Sequence, residues 1–133
     1  MLRIDRTARA GVAATPARCR ERLADVEGYP RWSSLITSAT RARDRVRLRA
    51  ELLGITFDMT CELEVGDERV VLRRLPNDAA DEERFEVVWT LAPGEVELHL
   101  RAEIDAPGPA RLIRGRVERR LTDDLLADFV RSL

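Results

Sequence analysis

The sequence contains no lysine, so all 23 of its basic side chains are arginines. This absence excludes chemistry that needs a lysine amine, such as Schiff-base formation with a carbonyl substrate. The 24 acidic side chains bring the net charge to -1. Without a basic excess the chain has little to offer to phosphates, and we expect it to bind neither nucleic acid nor an anionic membrane surface.

Cysteine and histidine are too scarce to build a metal site. Cys19 and Cys61 lie far apart and form no C-x-x-C pair. The only histidine, His99, lies between two apolar residues of a predicted strand and should point to solvent. We therefore expect no metal and no cofactor. Both cysteines should be buried and reduced, as is usual in the cytoplasm.

Long hydrophobic runs are absent as well, and no segment approaches the length of a membrane span. The N-terminus is charged from Arg3 onward and lacks the apolar core of a signal peptide. Phosphate-binding loops, dinucleotide fingerprints, zinc-protease motifs and the G-x-S-x-G nucleophile motif are missing too. We expect a cytoplasmic protein without stable membrane insertion, and no catalytic constellation is visible.

The first third of the chain predicts one strand and two short helices. Residues 4–12 alternate loosely between apolar and charged side chains, as in a strand. Thr15 can cap a helix that begins at Pro16, whose fixed φ suits the first turn. An apolar stripe then recurs at helical spacing as far as Gly28, which is expected to end this helix. A second short helical segment is predicted over residues 29–35.

The middle of the chain changes to a period of two. Apolar side chains alternate with charged ones, and glycine-containing turns separate the runs. Such a pattern predicts an antiparallel meander with one wet face and one apolar face. The runs cover residues 46–52, 55–65, 70–72, 85–91 and 96–104.

The C-terminal part predicts one long helix, opened by Pro107-Gly108-Pro109. Its apolar residues recur at every fourth position: Ile113, Val117, Leu121, Leu125, Phe129 and Leu133. Because 3.6 residues make a turn, this stripe drifts slowly around the helix and could follow a twisted sheet. Ion pairs between Arg119 and Asp123 and between Arg120 and Asp124 are expected on the other faces.

Four short motifs, spread over nearly the whole chain, carry a resemblance to a known family. They are Ala-Thr-Pro at 14–16, Glu-Gly-Tyr-Pro-Arg-Trp at 27–32, Val-Trp-Thr-Leu at 88–91 and Ala-Pro-Gly-Pro at 106–109. With the order of elements, they resemble the START-like helix-grip superfamily (SRPBCC), and within it the polyketide cyclase/dehydrase-type proteins. The resemblance implies a single α+β domain over residues 1–133. A curved antiparallel sheet of six to seven strands would wrap around the long C-terminal helix and enclose an apolar cavity.

The candidate cavity residues are those that the pattern turns inward. They are Arg6, Trp32, Ile36, Phe57, Met59, Arg74, Trp89, Leu98, Leu121 and Leu125. Ser38 and Thr40 are further polar candidates. Arg6 and Arg74 have two interpretations. Each could bind a ligand carboxylate or enolate through its bidentate fork, or it could lie at a strand end, where it reaches solvent or pairs with Asp5 or Glu86.

The leading functional hypothesis is binding of a lipid, polyketide or isoprenoid molecule in the cavity. The alternative is a polyketide cyclase, aromatase or dehydratase. Tetracenomycin-type aromatase/cyclases use a cavity arginine and a tyrosine, whose places fall here near Glu62 and Ile36, so those roles are not carried over. A protein-interaction module is a third possibility, and a homodimer through the outer face of the sheet stays open.

Overall fold

The computed structural model describes residues 1–105, 108 and 112–133. Strand β1 (Leu2–Gly11) precedes helix α1 (Pro16–Ala24), a 3₁₀ turn (Val26–Gly28) and helix α2 (Tyr29–Trp32). The remaining strands are β2 (Ile36–Ala42), β3 (Arg45–Leu52), β4 (Ile55–Val65), β5 (Arg69–Arg74), β6 (Arg84–Ala92) and β7 (Glu95–Ile104). The C-terminal helix α3 consists of Arg114–Arg119, a π turn (Arg120–Asp124) and Leu125–Ser132.

All seven strands join one antiparallel sheet in the order β1-β7-β6-β5-β4-β3-β2. From β2 to β7 each strand pairs with its neighbour in sequence, whereas β1 pairs with β7. The segment that holds α1 and α2 therefore carries the chain from one edge of the sheet to the other. The sheet remains open, with β1 and β2 as its edges.

The core lies between the inner face of this sheet and helix α3. Val117, Leu121, Leu125 and Phe129 of the helix are buried and belong to the same apolar cluster as the inward residues of the strands. Each such side chain contributes about 1.5–3 kcal/mol to folding when it is fully buried. The predicted α+β helix-grip fold, with two short helices after the first strand, is confirmed.

Strand β2 is the element that the periodicity did not reveal. Its pairing with β3 shifts register between Ile36 and Ser38, and such a bulge interrupts the alternation of inward and outward residues. Ser38 and Thr40 consequently lie exposed on the outer face, where they border a polar groove with Arg47. The expectation that these two residues face the cavity is wrong.

Helix α1 starts as predicted and ends earlier. The Thr15 hydroxyl accepts a hydrogen bond from the Arg18 backbone N–H at 3.2 Å, and Pro16 occupies the first turn. The helix ends at Ala24, and Gly28 has an ordinary φ of -82°. A Cβ atom on Gly28 would lie 2.6 Å from the Asp25 carboxylate. A larger residue there would displace the Asp25 side chain, and Gly28 does not act as a left-handed helix cap.

Helix α3 contains a π turn, which the spacing of its apolar residues at every fourth position did not by itself predict. A π turn accommodates an extra residue, so Leu121 and Leu125 stay on the buried face where a regular helix would rotate them away. Arg120 pairs with Asp124 at 3.3 Å, as predicted. The pairing predicted between Arg119 and Asp123 is wrong, because Asp123 binds a residue of β1. The proposed start at Pro107-Gly108-Pro109 falls mostly outside the described residues.

The outer face of the sheet carries a row of alternating charges that crosses six strands. Directly paired positions place them in the order Arg45, Glu62, Arg73, Glu86, Arg101 and Asp5. Arg73 approaches Glu86 to 2.9 Å, and Asp5 also contacts His99 at 2.6 Å. Opposite charges on directly facing strand positions favour the observed register. His99 thus points outward, as expected.

Both cysteines are buried and free, as predicted. Desolvation raises the pKa of the Cys61 thiol to about 12 and raises that of Cys19 as well. Within the described part of the chain no three His, Cys, Asp or Glu side chains form a cluster suited to a metal ion. None of the described helices is both long and apolar enough to cross a bilayer.

Candidate ligand cavity

A cavity of about 320 Å³ lies between the inner face of the sheet and helix α3. Its walls are mainly apolar and come from α2 and from strands β2 to β6, with the C-terminal helix closing one side. Charged residues occur chiefly where the β5–β6 connection and the end of β7 border it. This arrangement suits a largely hydrophobic molecule with its more polar part near those connections.

Eight of the ten candidate residues line this cavity. They are Trp32, Ile36, Phe57, Met59, Arg74, Trp89, Leu121 and Leu125. The inner-face alternation of β4 and the helical stripe bring most of them together, which is why sequence periodicity could identify them. Contact of these side chains with a ligand remains a prediction.

Leu98 lies away from the cavity. It is fully buried in β7, directly opposite Trp89 of the neighbouring strand. Strand β7 packs against the π turn of helix α3, and of its described residues only Ile104, at the end of the strand, lines the cavity. The prediction that Leu98 lines the cavity is therefore corrected to a position in the solid core.

Arg6 does face the inner side of the sheet, but it binds the helix and not the cavity. Its guanidinium donates to both carboxylate oxygens of Asp123, from Nε at 3.2 Å and from Nη2 at 2.8 Å. This bidentate pair raises the pKa of Arg6 and lowers that of Asp123, and the Thr122 hydroxyl adds to the lowering. Arg6 thus reaches solvent in part, with 37% of its side chain exposed, but it does not line the cavity and its partner is neither Asp5 nor Glu86. It joins β1 to the π turn of α3.

Arg74 lines the cavity and is already paired. Its Nη2 donates to Asp81 at 2.7 Å, and its Nη1 donates to the Glu83 carbonyl oxygen at 3.0 Å. The side chains of Arg74 and Asp81 are only 9% and 10% exposed. The partners considered from sequence, Asp5 and Glu86, are wrong because Arg74 turns inward while they belong to the outer row.

Asp81 organises the β5–β6 connection around this pair. Besides Arg74, its carboxylate accepts backbone N–H groups of Asn77 at 2.9 Å and Glu83 at 3.1 Å. The Arg74 hydrogen bond, followed by the backbone donors, lowers the pKa of Asp81 to about 2. One ionised carboxylate beside the cavity thus holds residues from both ends of the connection together.

We expect this connection to loosen in acid. The folded-state pKa of Asp81 is depressed, so its contribution to stability is fully present above about pH 4 and is lost as the pH falls towards 2. Amide NMR signals of Asn77 and Glu83 should shift over that window in the native chain. In Asp81→Asn the same signals should lose this titration, and a titration that persists in the variant would contradict the assignment.

Four aromatic rings form a continuous row that ends at the cavity wall. Phe129 of α3 lies 4.9 Å from Trp89 of β6 and 5.5 Å from Trp32, and Trp32 lies 5.1 Å from Tyr29. The Tyr29 hydroxyl donates to the Leu23 carbonyl oxygen, and its burial raises its pKa. The row ties sheet, helix and α2 together.

Within that row the indole N–H of Trp32 is a buried donor without an acceptor among the described residues. An unmade hydrogen bond of this kind is costly inside a protein. Protein atoms cover the nitrogen, so a ligand oxygen reaches it only if the indole ring turns. Trp32 is therefore the wall residue with the most to gain from an oxygen-bearing ligand.

A second polar contact fixes the segment that follows α2. The buried carboxylate of Asp128 in α3 accepts hydrogen bonds from the Ser34 backbone N–H at 2.8 Å and the Ser34 hydroxyl at 2.7 Å. The Ser33 hydroxyl in turn accepts from the N–H groups of Leu35 and Ile36. Leu35 and Ile36 line the cavity, so this contact positions one wall of it.

Sequence patterns gave no sign of Asp81 or Asp128. Asp81 belongs to an acidic connection that reads as a solvated loop, and Asp128 lies in a helix rich in exposed charge. The partner of Asp81 is seven residues away and that of Asp128 is 94 residues away. Local periodicity carries no information about such partners, and only the turn signal at Pro76-Asn77 marked the connection.

Comparisons with known proteins identify the relatives of the chain. A family model described as "Polyketide cyclase / dehydrase and lipid transport" matches residues 12–130. No protein among the curated sequences matches.

Three solved structures resemble the fold. A protein from Thermus thermophilus has a TM-score of 0.74 and 22% identity, covering 96% of this chain and 95% of its own. The Zhui aromatase/cyclase from Streptomyces sp. R1128 has a TM-score of 0.68 and 20% identity, with 96% and 92% covered. A START superfamily protein from Mycobacterium smegmatis has a TM-score of 0.63 and 18% identity, with 98% and 97% covered.

Proposed function

The chain belongs to the polyketide cyclase/dehydrase and lipid transport family, and on that basis we propose that it binds a hydrophobic small molecule in the cavity between sheet and C-terminal helix. The observation that carries the proposal is the apolar lining of that cavity. Protein interiors are normally close-packed, so an open apolar space of this size suits a bound ligand. Lipids, polyketides and isoprenoids are the ligand classes with suitable chemistry.

The size of the cavity limits the ligand. A volume of 320 Å³ equals the liquid volume of about ten water molecules, so a ligand of on the order of ten to twenty non-hydrogen atoms fits. The cavity is at the small end of the size range of ordinary ligand pockets. A twelve-carbon chain or a molecule of two to three rings meets this limit.

We propose binding in preference to turnover. The enzymatic alternative required Arg6 or Arg74 to offer its guanidinium to a bound substrate, but Asp123 occupies Arg6 and Asp81 occupies Arg74. A substrate would have to displace an internal carboxylate before either arginine could polarise it. The likeness to the Streptomyces aromatase/cyclase is one of fold at 20% identity, and fold alone carries no activity.

The neutral dye N-phenyl-1-naphthylamine tests the proposal, since its fluorescence rises in apolar surroundings. Ala50→Trp places a large side chain on a cavity-lining position of β3. We expect the native chain to bind the dye and this variant to bind it at least about 10-fold more weakly, because the added ring occupies the space of the ligand.

Ala42→Trp is the matched control, because it adds the same ring at an exposed position at the end of β2. Its affinity for the dye should equal that of the native chain. Equal binding by all three proteins would place the dye outside the cavity, and no binding by the native chain would remove the support for the proposal.

We further propose that residues 1–133 act as one domain in the cytoplasm, where the two free cysteines stay reduced. A homodimer through the outer face remains a prediction. The charge row on that face pairs across strands of the same sheet, so a second copy would gain little electrostatic attraction from it. The interaction-module alternative has no further support among the described residues.

A further inference from the structure

The charged residues of the cavity wall influence which ligands the cavity can accept. Within the described part of the chain two arginines border it, and of these the Arg74 side chain is buried whereas Arg84 is exposed to solvent. A buried guanidinium would ordinarily be the anchor for an anionic ligand such as a fatty acid. Whether it can act so depends on what already occupies it.

Asp81 fills the position that a ligand carboxylate would take. It binds Arg74 at 2.7 Å, and both side chains are about nine-tenths buried. The Glu83 carbonyl oxygen takes a second guanidinium nitrogen at 3.0 Å. Separating such a pair would leave one buried charge without a partner, which is far costlier than the pair itself.

Asp81 also has an advantage that no free ligand has. Two backbone N–H groups, from Asn77 and Glu83, hold its carboxylate in place, and the chain tethers it seven residues from Arg74. A ligand carboxylate pays the full loss of translational freedom that the tethered group avoids. With a pKa near 2, Asp81 stays ionised and bound to Arg74 at neutral pH.

The other charged residues of the wall also disfavour an anionic ligand. Among the described residues Glu83 and Asp105 border the cavity beside Arg74 and Arg84, and Asp81, bound to Arg74, adds a third carboxylate. Asp58 also borders the cavity, but its carboxylate lies on the outer face, where Arg49 holds it at 3.0 Å. An incoming anion therefore meets no free buried cation among the described residues of the wall and several like charges.

We propose that Asp81 is a specificity-determining residue: by occupying Arg74 it makes the cavity select neutral apolar molecules, such as long-chain alcohols or esters, over the corresponding fatty acids. The inference rests on the proposed function, since it concerns the ligand of the same cavity. It goes further in assigning the exclusion of anions to one ion pair that the β5–β6 connection builds in advance.

The test compares two probes that share a twelve-carbon chain and differ in their head group, the neutral 1-dodecanol and the anionic dodecanoate, as competitors of N-phenyl-1-naphthylamine at pH 7.5. For the native chain we expect dodecanol to displace the dye at a concentration at least about 10-fold lower than dodecanoate. In Asp81→Asn the neutral amide no longer cancels Arg74, so dodecanoate should gain at least about 10-fold while dodecanol changes little.

Three further variants make the result specific. Asp58→Ala removes a carboxylate that pairs with Arg49 on the outer face and not with Arg74, and it should keep the native preference. Arg74→Met combined with Asp81→Asn should lose the gain for dodecanoate, because the freed cation is absent. Asp81→Ser, whose hydroxyl can still accept a backbone N–H but carries no charge, keeps the test available if Asp81→Asn does not fold and should show the same gain for dodecanoate.

The outcomes separate the two proposals. Dye binding with equal displacement by both probes, or stronger displacement by dodecanoate in the native chain, would overturn the inference and leave hydrophobic binding intact. A folded Asp81→Asn variant without a gain for dodecanoate would also overturn it. Absence of dye binding, with no displacement by either probe, would instead count against the proposed function.

Discussion

Replacing Phe129 by alanine is expected to lower the free energy of unfolding by about 3–5 kcal/mol, the usual loss for a buried aromatic side chain. Phe129 is 0% exposed and, among the rings of the described residues, is the one in contact with both tryptophans. Its removal opens a gap at the junction of β6, α2 and α3, where neighbouring rings cannot close in without leaving their own contacts. Urea denaturation followed by circular dichroism measures the loss.

The control is Leu112→Ala, a truncation of a side chain that is 88% exposed. It should change the free energy of unfolding by less than about 0.5 kcal/mol. If Phe129→Ala cost less than about 1 kcal/mol, the aromatic row would not be the junction that the ring distances indicate. A changed denaturant slope would show instead that the variant alters the compactness of one of the states.

The second large effect is expected at Asp128. Its carboxylate is 7% exposed and accepts both donors of Ser34, and Arg131 donates to it as well. Asp128→Ala should lower the free energy of unfolding by about 2–4 kcal/mol, because the Ser34 backbone N–H and hydroxyl lose a charged acceptor. The cavity wall formed by Leu35 and Ile36 should loosen too, measurable as faster amide exchange of those residues.

Two further substitutions serve as controls for the prediction on Asp128→Ala. Asp128→Asn keeps one acceptor oxygen and should cost clearly less than alanine does. Asp67→Ala removes a fully exposed carboxylate, whose contact with Arg20 is 3.6 Å, and should be nearly neutral. Equal effects of Asp128→Ala and Asp67→Ala would mean that Ser34 finds another partner and that Asp128 does not position the wall.

The sequence predicted eight residues of the cavity wall, Arg74 among them, but not the partners that hold its polar groups. Phe57 and Met59 follow from the alternation of β4, and Leu121 and Leu125 follow from the helical stripe. Both patterns are local, since they depend only on how side chains alternate along one element. Arg6 and Leu98 show the limit of this reasoning, because inward orientation does not tell whether open space, a helix or a carboxylate lies on the other side.

The sequence by itself determined the elements and their faces: the capped start of α1, the wet and dry sides of the strands, and a C-terminal helix with one buried stripe. These follow from backbone sterics and from the two side-chain periods, which act over a few residues. Tertiary structure decided which arginine lies at the cavity and whether it is free. That outcome depends on Asp81 folding back onto Arg74 within the β5–β6 connection and on Asp123 of α3 reaching Arg6 of β1. Neither contact follows from the side-chain periods, because each depends on how the chain folds between the two partners. The preference for neutral ligands that we propose rests on the first of these contacts.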